Sequence, residues 1–220
     1  MDERATGVVL RVRLLTETSL VVHWLTEEHG RVATVARGAR RPKSPLRGKL
    51  DLFHLGEFTF RRSRHSDLHQ LGEVMLGETH PMLRRDWRRL TEASYGVAVV
   101  EQATESDTPL PELWPVFTGF LRAVNDQEPW AGRIAALELK VLEATGLIPD
   151  FERESLSAEA RELALQLLAA PWAEVDGWRT GTEVPLGLLT RFLHGFLIYH
   201  LGRLPKGRAE ALAAGTGNKG

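Results

Sequence analysis

The first 80 residues alternate between apolar and polar positions with the period of β-strands. In the segment TGVVLRVRLL, the even-numbered positions from Val8 to Leu14 are apolar and fall on one face of an extended chain, while Arg11 and Arg13 fall on the other. This pattern predicts a half-buried strand with a basic outer face.

Four more short apolar runs follow: SLVVHWL, RVATVA, LFHLGEFTFR and the stretch from Leu68 to Leu76. Gly30 permits a tight turn between the second and third strands. Five strands without an intervening helical pattern predict a small antiparallel barrel, and the OB-fold has this strand count.

From Pro81 onward the apolar residues recur at helical spacing. The last long helix, from about Pro185 to Leu204, is apolar on most sides and is predicted to be the central helix of a bundle. The final residues lack both periodicity and bulk, which predicts disorder. The predicted fold class is therefore α+β, with a five-stranded OB-fold barrel in residues 1–80, an all-helical domain in residues 81–210 and a disordered tail in residues 211–220.

The composition narrows the possible chemistry. The chain has 220 residues, 43% of them hydrophobic, and no cysteine, which excludes disulfides, thiol catalysis and zinc sites with thiolate ligands. We find no apolar run of the roughly 18 to 20 residues that span a bilayer, and the first thirty residues are too charged for a signal peptide. We therefore expect a cytoplasmic protein with no membrane contact.

Charge is unevenly distributed along a nearly neutral chain. Residues 1–80 have a balance of +3, whereas residues 81–220 have a balance of −4. The segment ARGARRPKSPLRGKL, residues 36–50, has no acidic residue and contains six cations: Arg37, Arg40, Arg41, Lys43, Arg47 and Lys49. Six like charges repel one another unless they are solvated or meet a polyanion.

Two interpretations of this segment remain open, a solvated loop and a contact for nucleic acid. The segment follows the third strand of the predicted barrel, where a loop can line a binding groove. Pro42 and Pro45 restrict its freedom before binding, and Arg11 and Arg13 can extend the same basic surface. Such a surface would neutralise phosphates with little sequence preference.

The barrel aromatics are Trp24, Phe53, Phe58 and Phe60. Phe58 and Phe60 share one face of a strand, so we expect them in the core and not stacked on bases. Electrostatics should then dominate binding.

We identify no catalytic residue, metal site or cofactor site in the sequence. RGKL at residues 47–50 resembles the end of a phosphate-binding loop, but it lacks the following hydroxyl and the upstream glycine. His65 and His69 have a spacing that can bind metal on a helix, but they lie in a predicted strand connection without a third ligand nearby, which favours a polar turn.

Five segments along the chain resemble the bacterial recombination mediator family RecO. They are GVVLRVRLLTETSLVVHWLTEEHGRVATVARGARRPKSPLRGKLDLF, LHQLGEV, RLTEASY, ALELKVLEATGLIPD and FLHGFLIYHLGRLPKGR. The resemblance covers about residues 5–210. In one respect the sequence departs from the family: many members carry a four-cysteine zinc module after the segment matching TGLIPD, and here FERESLSAEARELAL continues directly into a predicted helix.

The resemblance implies an N-terminal OB-fold and a helical domain, with no catalytic residues. It implies binding of single- and double-stranded DNA, annealing of complementary strands, and action with RecR to load RecA onto strands covered by single-stranded DNA-binding protein, whose acidic, apolar C-terminal tail is a further partner. It also implies association with the nucleoid during repair. The six cations of residues 36–50 match the family's basic stretch, and Arg11 and Arg13 are expected neighbours.

A second basic segment, with Arg203, Lys206 and Arg208, matches the family's basic segment after the last helix. These cations are either a second site for DNA or the acidic tail, or the cations that a helix C-terminus commonly favours.

Two rival functions are open at this stage. One is a protein-interaction adaptor whose barrel binds an acidic partner peptide, with DNA binding incidental. The other is a phosphodiester-cleaving enzyme that uses the histidines with a metal.

Overall fold

The computed structural model describes residues 2–216 and contains five strands followed by six helices. The strands are β1 (Glu3–Leu14), β2 (Leu20–Thr26), β3 (Gly30–Ala36), β4 (Leu55–Arg61) and β5 (Leu68–Glu78). The helices are α1 (Trp87–Ala103), α2 (Leu113–Asp126), α3 (Ala131–Ala144), α4 (Ala158–Ala169), α5 (Glu183–Leu201) and α6 (Arg208–Thr216), with short 3-10 helices at Pro81–Arg84 and Val175–Trp178. The predicted fold class is confirmed.

The strands form a closed barrel in the order β1-β2-β3-β5-β4. All pairings are antiparallel except that of β3 with β5, as in the Greek-key arrangement of an OB-fold. The barrel is filled by aromatic and branched side chains, with Trp24 stacked on Phe58 at a centroid separation of 4.2 Å. The barrel is closed by a short contact between β3 and β5, which joins residues 33–35 to residues 68–70.

A bulge in β1 changes which side chains face the barrel interior. The pairing with β2 shifts between Val9 and Arg11, and a bulge inserts one unpaired residue into the alternation. Ala5 and Val9 pack in the barrel core before the shift, and Val12 packs against it afterwards. Leu14 is on the same face of β1 as Val12, but it lies at the strand end and is 67% exposed. Simple alternation predicts a buried position for it.

The most buried helix is α3, in which eleven of fourteen residues are buried. In α5 only Leu186, Leu189, Leu193 and Leu197 are buried, so the prediction that this helix is the centre of the bundle is wrong. The sequence obscured the role of α3 because two of its buried residues, Arg133 and Glu138, are charged.

Ion pairs explain how α3 tolerates these charges. Arg133, which is 0% exposed, lies 2.8 Å from Glu92 and 2.6 Å from Asp176. Glu138 accepts two hydrogen bonds from Arg208, at 2.7 and 2.9 Å. Buried charges require this kind of pairing, because an isolated charge in the interior is very costly.

Two compact units divide the chain. One comprises the residues up to His80 together with Thr104–Trp114, and the other comprises Pro81–Ala103 together with the residues from Pro115 onward. The segment 104–114, predicted to lie in the helical domain, instead belongs to the barrel unit. Its Asp107 N–H donates to the Arg31 carbonyl at 2.8 Å, and the Arg31 side chain bonds to Thr104.

The expected disorder from residue 211 onward is wrong as far as residue 216, because α6 extends to Thr216. Small residues are what allow this helix to pack. Ala211 and Ala214 are buried, and a Cβ on Gly215 would lie only 2.1 Å from the Ala131 nitrogen. The small side chains of α6 thus permit close contact between helices. Residues 217–220 lie outside the described part of the chain.

Among residues 2–216, α5 is the one helix long and apolar enough to cross a membrane. A single helix of this kind is weak evidence for a span, since core helices of water-soluble proteins have the same composition. Arg191 near its midpoint adds a charge that would be costly within a bilayer.

Candidate nucleic-acid interface

The segment between β3 and β4, residues 37–54, begins with an ordered series of turns. Successive hydrogen bonds join the N–H of one residue to the carbonyl three positions earlier, including Arg41 to Gly38, Ser44 to Arg41 and Lys49 to Leu46. Ala39 and Leu46 are buried in the barrel core. Residues 37–50, hereafter the basic loop, are therefore anchored to the barrel and differ from a freely solvated segment.

The cations of the basic loop lie at the surface. Within residues 2–216, none of its six cations forms an ion pair with a carboxylate. Five of them are exposed: Arg37, Arg40, Arg41, Lys43 and Arg47. Lys49 is half-buried and its Nζ donates to the Val74 carbonyl at 2.8 Å, so its amino group is partly committed to the fold. The basic loop therefore concentrates positive charge that no carboxylate of residues 2–216 neutralises.

Arg40 links the basic loop to the β1–β2 turn, residues 15–19. Its backbone N–H donates to the Thr18 carbonyl at 3.0 Å, and its Nη1 donates to the Glu17 carbonyl at 2.8 Å. The Gly38 N–H adds a bond to Ser19 Oγ at 3.3 Å. The two loops therefore form one continuous surface at this end of the barrel.

Arg13 lies beside this surface, as expected from the sequence. Leu14 pairs with Leu20, which pairs with Ala36, so the ends of β1 and β3 are aligned. Arg13 comes directly before Leu14 in β1, and Arg37 comes directly after Ala36 in β3. Both arginines are exposed. Arg11 lies further from the strand end, opposite His23, and is half-buried.

The rings of the barrel do not form a stacking platform. Trp24, Phe53, Phe58 and Phe60 are all buried, and the Trp24 Nε1 donates to Thr34 Oγ1 at 2.8 Å. The core position predicted for Phe58 and Phe60 is confirmed. None of these four rings is therefore available for stacking on a ligand at the surface.

The second basic segment is divided between the surface and the interior. Arg203 and Lys206 are exposed, but the guanidinium of Arg208 is buried and forms a bidentate ion pair with Glu138. It donates further to the Thr190 carbonyl at 2.9 Å. The pKa of Arg208 is raised, because the hydrogen bonds and charge of Glu138 outweigh the effect of burial. Arg208 is therefore a structural residue and is removed from the candidate surface.

The two histidines considered for metal binding lie in different environments. His65 is exposed, whereas His69 is buried in β5, with Nε2 3.3 Å from an Asp107 oxygen. In the described part of the chain, no group of three or more His, Cys, Asp or Glu side chains is placed to hold a metal ion.

Leu14 and Leu15 are surface features that the pattern analysis did not find. Both are exposed, at 67% and 47%, next to the basic loop. Alternation alone placed Leu14 in the core, because the pattern continues to this position although the strand ends there.

These observations define a class of protein: an OB-fold barrel with a basic, ordered β3–β4 loop, followed by a helical unit. Two family models match the chain, the N-terminal part of recombination protein O over residues 1–79 and its C-terminal part over residues 84–165.

Individual relatives agree with these models. The DNA repair protein RecO of Anaeromyxobacter dehalogenans (strain 2CP-C) is 30% identical over 218 residues, which is 98% of this chain and 86% of the relative. RecO of Listeria monocytogenes serotype 4b (strain CLIP80459) is 31% identical over 157 residues, 71% of this chain and 61% of the relative. The chain thus matches less than two thirds of the length of the Listeria protein. It belongs to the RecO family of DNA repair proteins.

Proposed function

We propose that this chain is a non-enzymatic recombination mediator in DNA repair. It binds single- and double-stranded DNA, anneals complementary strands and, together with RecR, helps to load RecA onto strands coated with single-stranded DNA-binding protein. It acts in the cytoplasm, at the nucleoid during repair. Family membership supports the repair role, and the partners rest on resemblance to the family.

One observation carries the DNA-binding part of this proposal: an anchored loop with five exposed cations, none of which pairs with a carboxylate in residues 2–216. Repulsion among these cations opposes folding. Phosphates remove that repulsion and release counterions on binding. The anchored turns reduce the entropy lost when the loop contacts a strand.

The same surface suits strand annealing. Two complementary strands repel each other through their phosphates, and contacts to phosphate leave base edges free to pair. A cationic surface without exposed rings in the barrel neutralises the strands without occupying their bases by stacking.

The test replaces Arg37, Arg41 and Lys43 with alanine, because these three side chains make no hydrogen bond or ion pair within the described structure. Affinity for a fluorescent single strand is measured across a KCl series. Loss of three phosphate contacts lowers the slope of log affinity against log salt by about 2. The affinities of variant and parent should converge towards 1 M salt.

A matched control removes the same charge elsewhere. Arg61, Arg153 and Arg191 are exposed, and the first two pair with carboxylates. Alanine at these three positions should leave the salt slope unchanged. Equal slopes for the loop variant and the parent protein would exclude the basic loop as the DNA site.

Annealing and loading are tested with complementary strands coated with single-stranded DNA-binding protein. The parent protein should accelerate annealing, and the loop variant should do so less at the same salt. Addition of RecR and RecA should give faster RecA filament formation than RecA alone. Failure of the parent protein in both assays would contradict the mediator role while leaving DNA binding intact.

A second candidate function, docking of an acidic and apolar peptide, is favoured by a groove in the helical unit. The groove has a volume of about 570 Å³, and its lining includes Trp130, Leu186 and Leu212 beside Arg88 and Arg179. The apolar side chains suit a peptide such as the tail of single-stranded DNA-binding protein. Arg88 already pairs with Asp86 and Arg179 with Asp176, so the two guanidinium groups would have to exchange or share these partners with the peptide's carboxylates.

Competition distinguishes this groove from the alternative of a peptide site on the barrel. A labelled acidic peptide should bind the parent protein, lose affinity when Arg88 and Arg179 are replaced by alanine, and bind normally to the Arg37, Arg41 and Lys43 variant. Full displacement of the peptide by DNA, with loss of peptide binding in the loop variant, would favour an adaptor that uses the basic loop for acidic peptides.

A further inference from the structure

Two adjacent leucines lie uncovered at the end of β1. Leu14 is 67% exposed and Leu15 is 47% exposed. Single exposed apolar residues are ordinary on protein surfaces. A neighbouring pair at the tip of a two-stranded turn, beside the proposed DNA site, is a more specific arrangement.

The turn that carries these leucines is held in place. The Leu15 and Thr16 N–H groups donate to the Ser19 carbonyl at 3.0 and 3.2 Å, and the Ser19 N–H returns a bond to Thr16 Oγ1 at 3.1 Å. The bonds of Arg40 to Glu17 and Thr18 then fix the turn against the basic loop. The leucines consequently keep a defined position relative to the loop cations.

The charges around the leucines indicate the kind of partner. Arg13, Arg37 and Arg40 are exposed at this end of the barrel, and none pairs with a carboxylate in residues 2–216. Glu17 is the one acidic residue of the turn. An apolar pair surrounded by unpaired cations suits a ligand that presents flat apolar faces between phosphates.

We propose that Leu14 and Leu15 contact the bases of a single DNA strand while the basic loop holds its phosphates. This proposal rests on DNA binding at the basic loop. Apolar side chains such as leucine can pack against bases or enter the gap between them. The leucines would supply the base contact that the buried barrel rings cannot make, and they would favour strands whose bases are already unpaired.

The test compares a normal single-stranded oligonucleotide with an abasic strand of the same length and charge, using the full chain. The variant replaces both Leu14 and Leu15 with threonine, which keeps a high β-propensity. The control replaces Val184, an α5 residue that is 75% exposed, with threonine. Unchanged thermal unfolding in both variants verifies that the fold is intact.

The parent protein and the Val184 control should bind the normal strand about tenfold more tightly than the abasic strand, as expected from partial burial of two leucines. In the double leucine variant this ratio should fall close to one, with the salt slope unchanged. The slope counts phosphate contacts, so it separates the base contact from the charge contact.

Two outcomes would overturn the inference. If the parent protein and the leucine variant show the same ratio of normal to abasic affinity, the leucines do not contact bases, although the phosphate site stands. If the parent protein does not bind either strand, the proposed DNA site fails as well. The latter result, together with capture of an acidic peptide by the leucine pair, would assign the surface to a protein partner.

Discussion

Arginines at the two ends of the barrel have opposite surroundings. Where β1 begins and β4 ends, Arg61 lies 2.9 Å from Asp2, and Arg62 lies 2.9 Å from Glu3. Arg62 also lies 3.0 Å from Asp107, and these partners raise its pKa against the opposing effect of burial. At the other end, the cations of the basic loop have no such partner in residues 2–216.

In the helical unit, two arginines are buried together with their carboxylate partners. Arg133 and Arg208 are both buried and bound to carboxylates. Pairing in the interior offsets the cost of desolvation, and loss of one partner leaves a buried charge. The comparison shows that a positive charge in the sequence has two uses in this protein: paired arginines hold the fold together, and unpaired cations remain available for an external anion.

The largest expected effect comes from breaking a buried pair. Replacement of Arg208 with methionine leaves Glu138 uncompensated and should lower the free energy of unfolding by about 3 to 5 kcal/mol. The measurement is urea unfolding, alongside the salt slope of DNA binding, which should not change. Arg203→Met, at an exposed position of the same segment, should leave stability within about 0.5 kcal/mol. A stable Arg208 variant with weakened DNA binding would return this residue to the candidate surface.

The next effect concerns the anchor of the basic loop. Leu46→Ala removes a buried side chain from the barrel core and should cost about 2 to 3 kcal/mol of stability. DNA affinity should also fall, because the cations lose their fixed arrangement, while the number of phosphate contacts stays the same. Leu52→Ala, at a more exposed position after the loop, is the control. Undiminished affinity in the Leu46 variant would mean that the ordered loop conformation is not needed for binding.

A pH effect tests how firmly the interior charges are paired. Burial raises the pKa of Glu92 to about 7, in spite of the opposing charge of Arg133. Between the unfolded value of 4.5 and this folded value, the folded protein holds a proton that the unfolded chain releases. Stability from this group is thus complete below pH 4.5 and falls as pH rises, by at most about 1.4 kcal/mol per pH unit.

The measurement is the free energy of urea unfolding from pH 5 to 8 for the parent protein and Glu92→Gln. At pH 5 the parent protein already holds Glu92 in its neutral form, so the two stabilities should be close there, and the stability of the variant should fall less steeply as pH rises. Parallel profiles would indicate that Glu92 is ionised throughout this range.

The smallest effect belongs to exposed ion pairs on the outer surface of the barrel. Arg4→Ala and Arg61→Ala each remove a surface pair and should cost less than about 1 kcal/mol. Thermal unfolding at low and high salt checks this, and the difference from the parent protein should shrink as salt rises. A loss as large as that of the Arg208 variant would end the distinction between surface and interior pairs.

Much of the fold followed from local patterns. Alternation identified five strands, the distribution of charge identified the run of six cations, and helical spacing identified the second half of the chain. Alternation misplaced Leu14, because it does not show that β1 ends at this residue and leaves its side chain exposed. Apolar content favoured α5 as the central helix, but α3 occupies that position with its charges neutralised by distant residues.

The sequence predicted where the candidate site lies better than it predicted which residues belong to it. The basic loop follows the end of β3, and Arg13 lies near the aligned end of β1; their role in binding DNA stays a prediction. Arg208 does not join them, since its partner Glu138 lies 70 positions away and no local pattern connects the two. The link between Arg40 and the β1–β2 turn also depends on chain segments brought together by folding.

The sequence by itself determined the period of each element, and with it the barrel, the helices and the position of the basic loop. These properties are local, because they depend on spacing along the chain. Only the tertiary structure decided which cations are exposed without a carboxylate partner and which are buried in ion pairs. It also decided that Leu14 and Leu15 lie beside the exposed cations. Burial and ion pairing depend on which distant residues meet, and the energy of a charge changes by several kcal/mol with that choice.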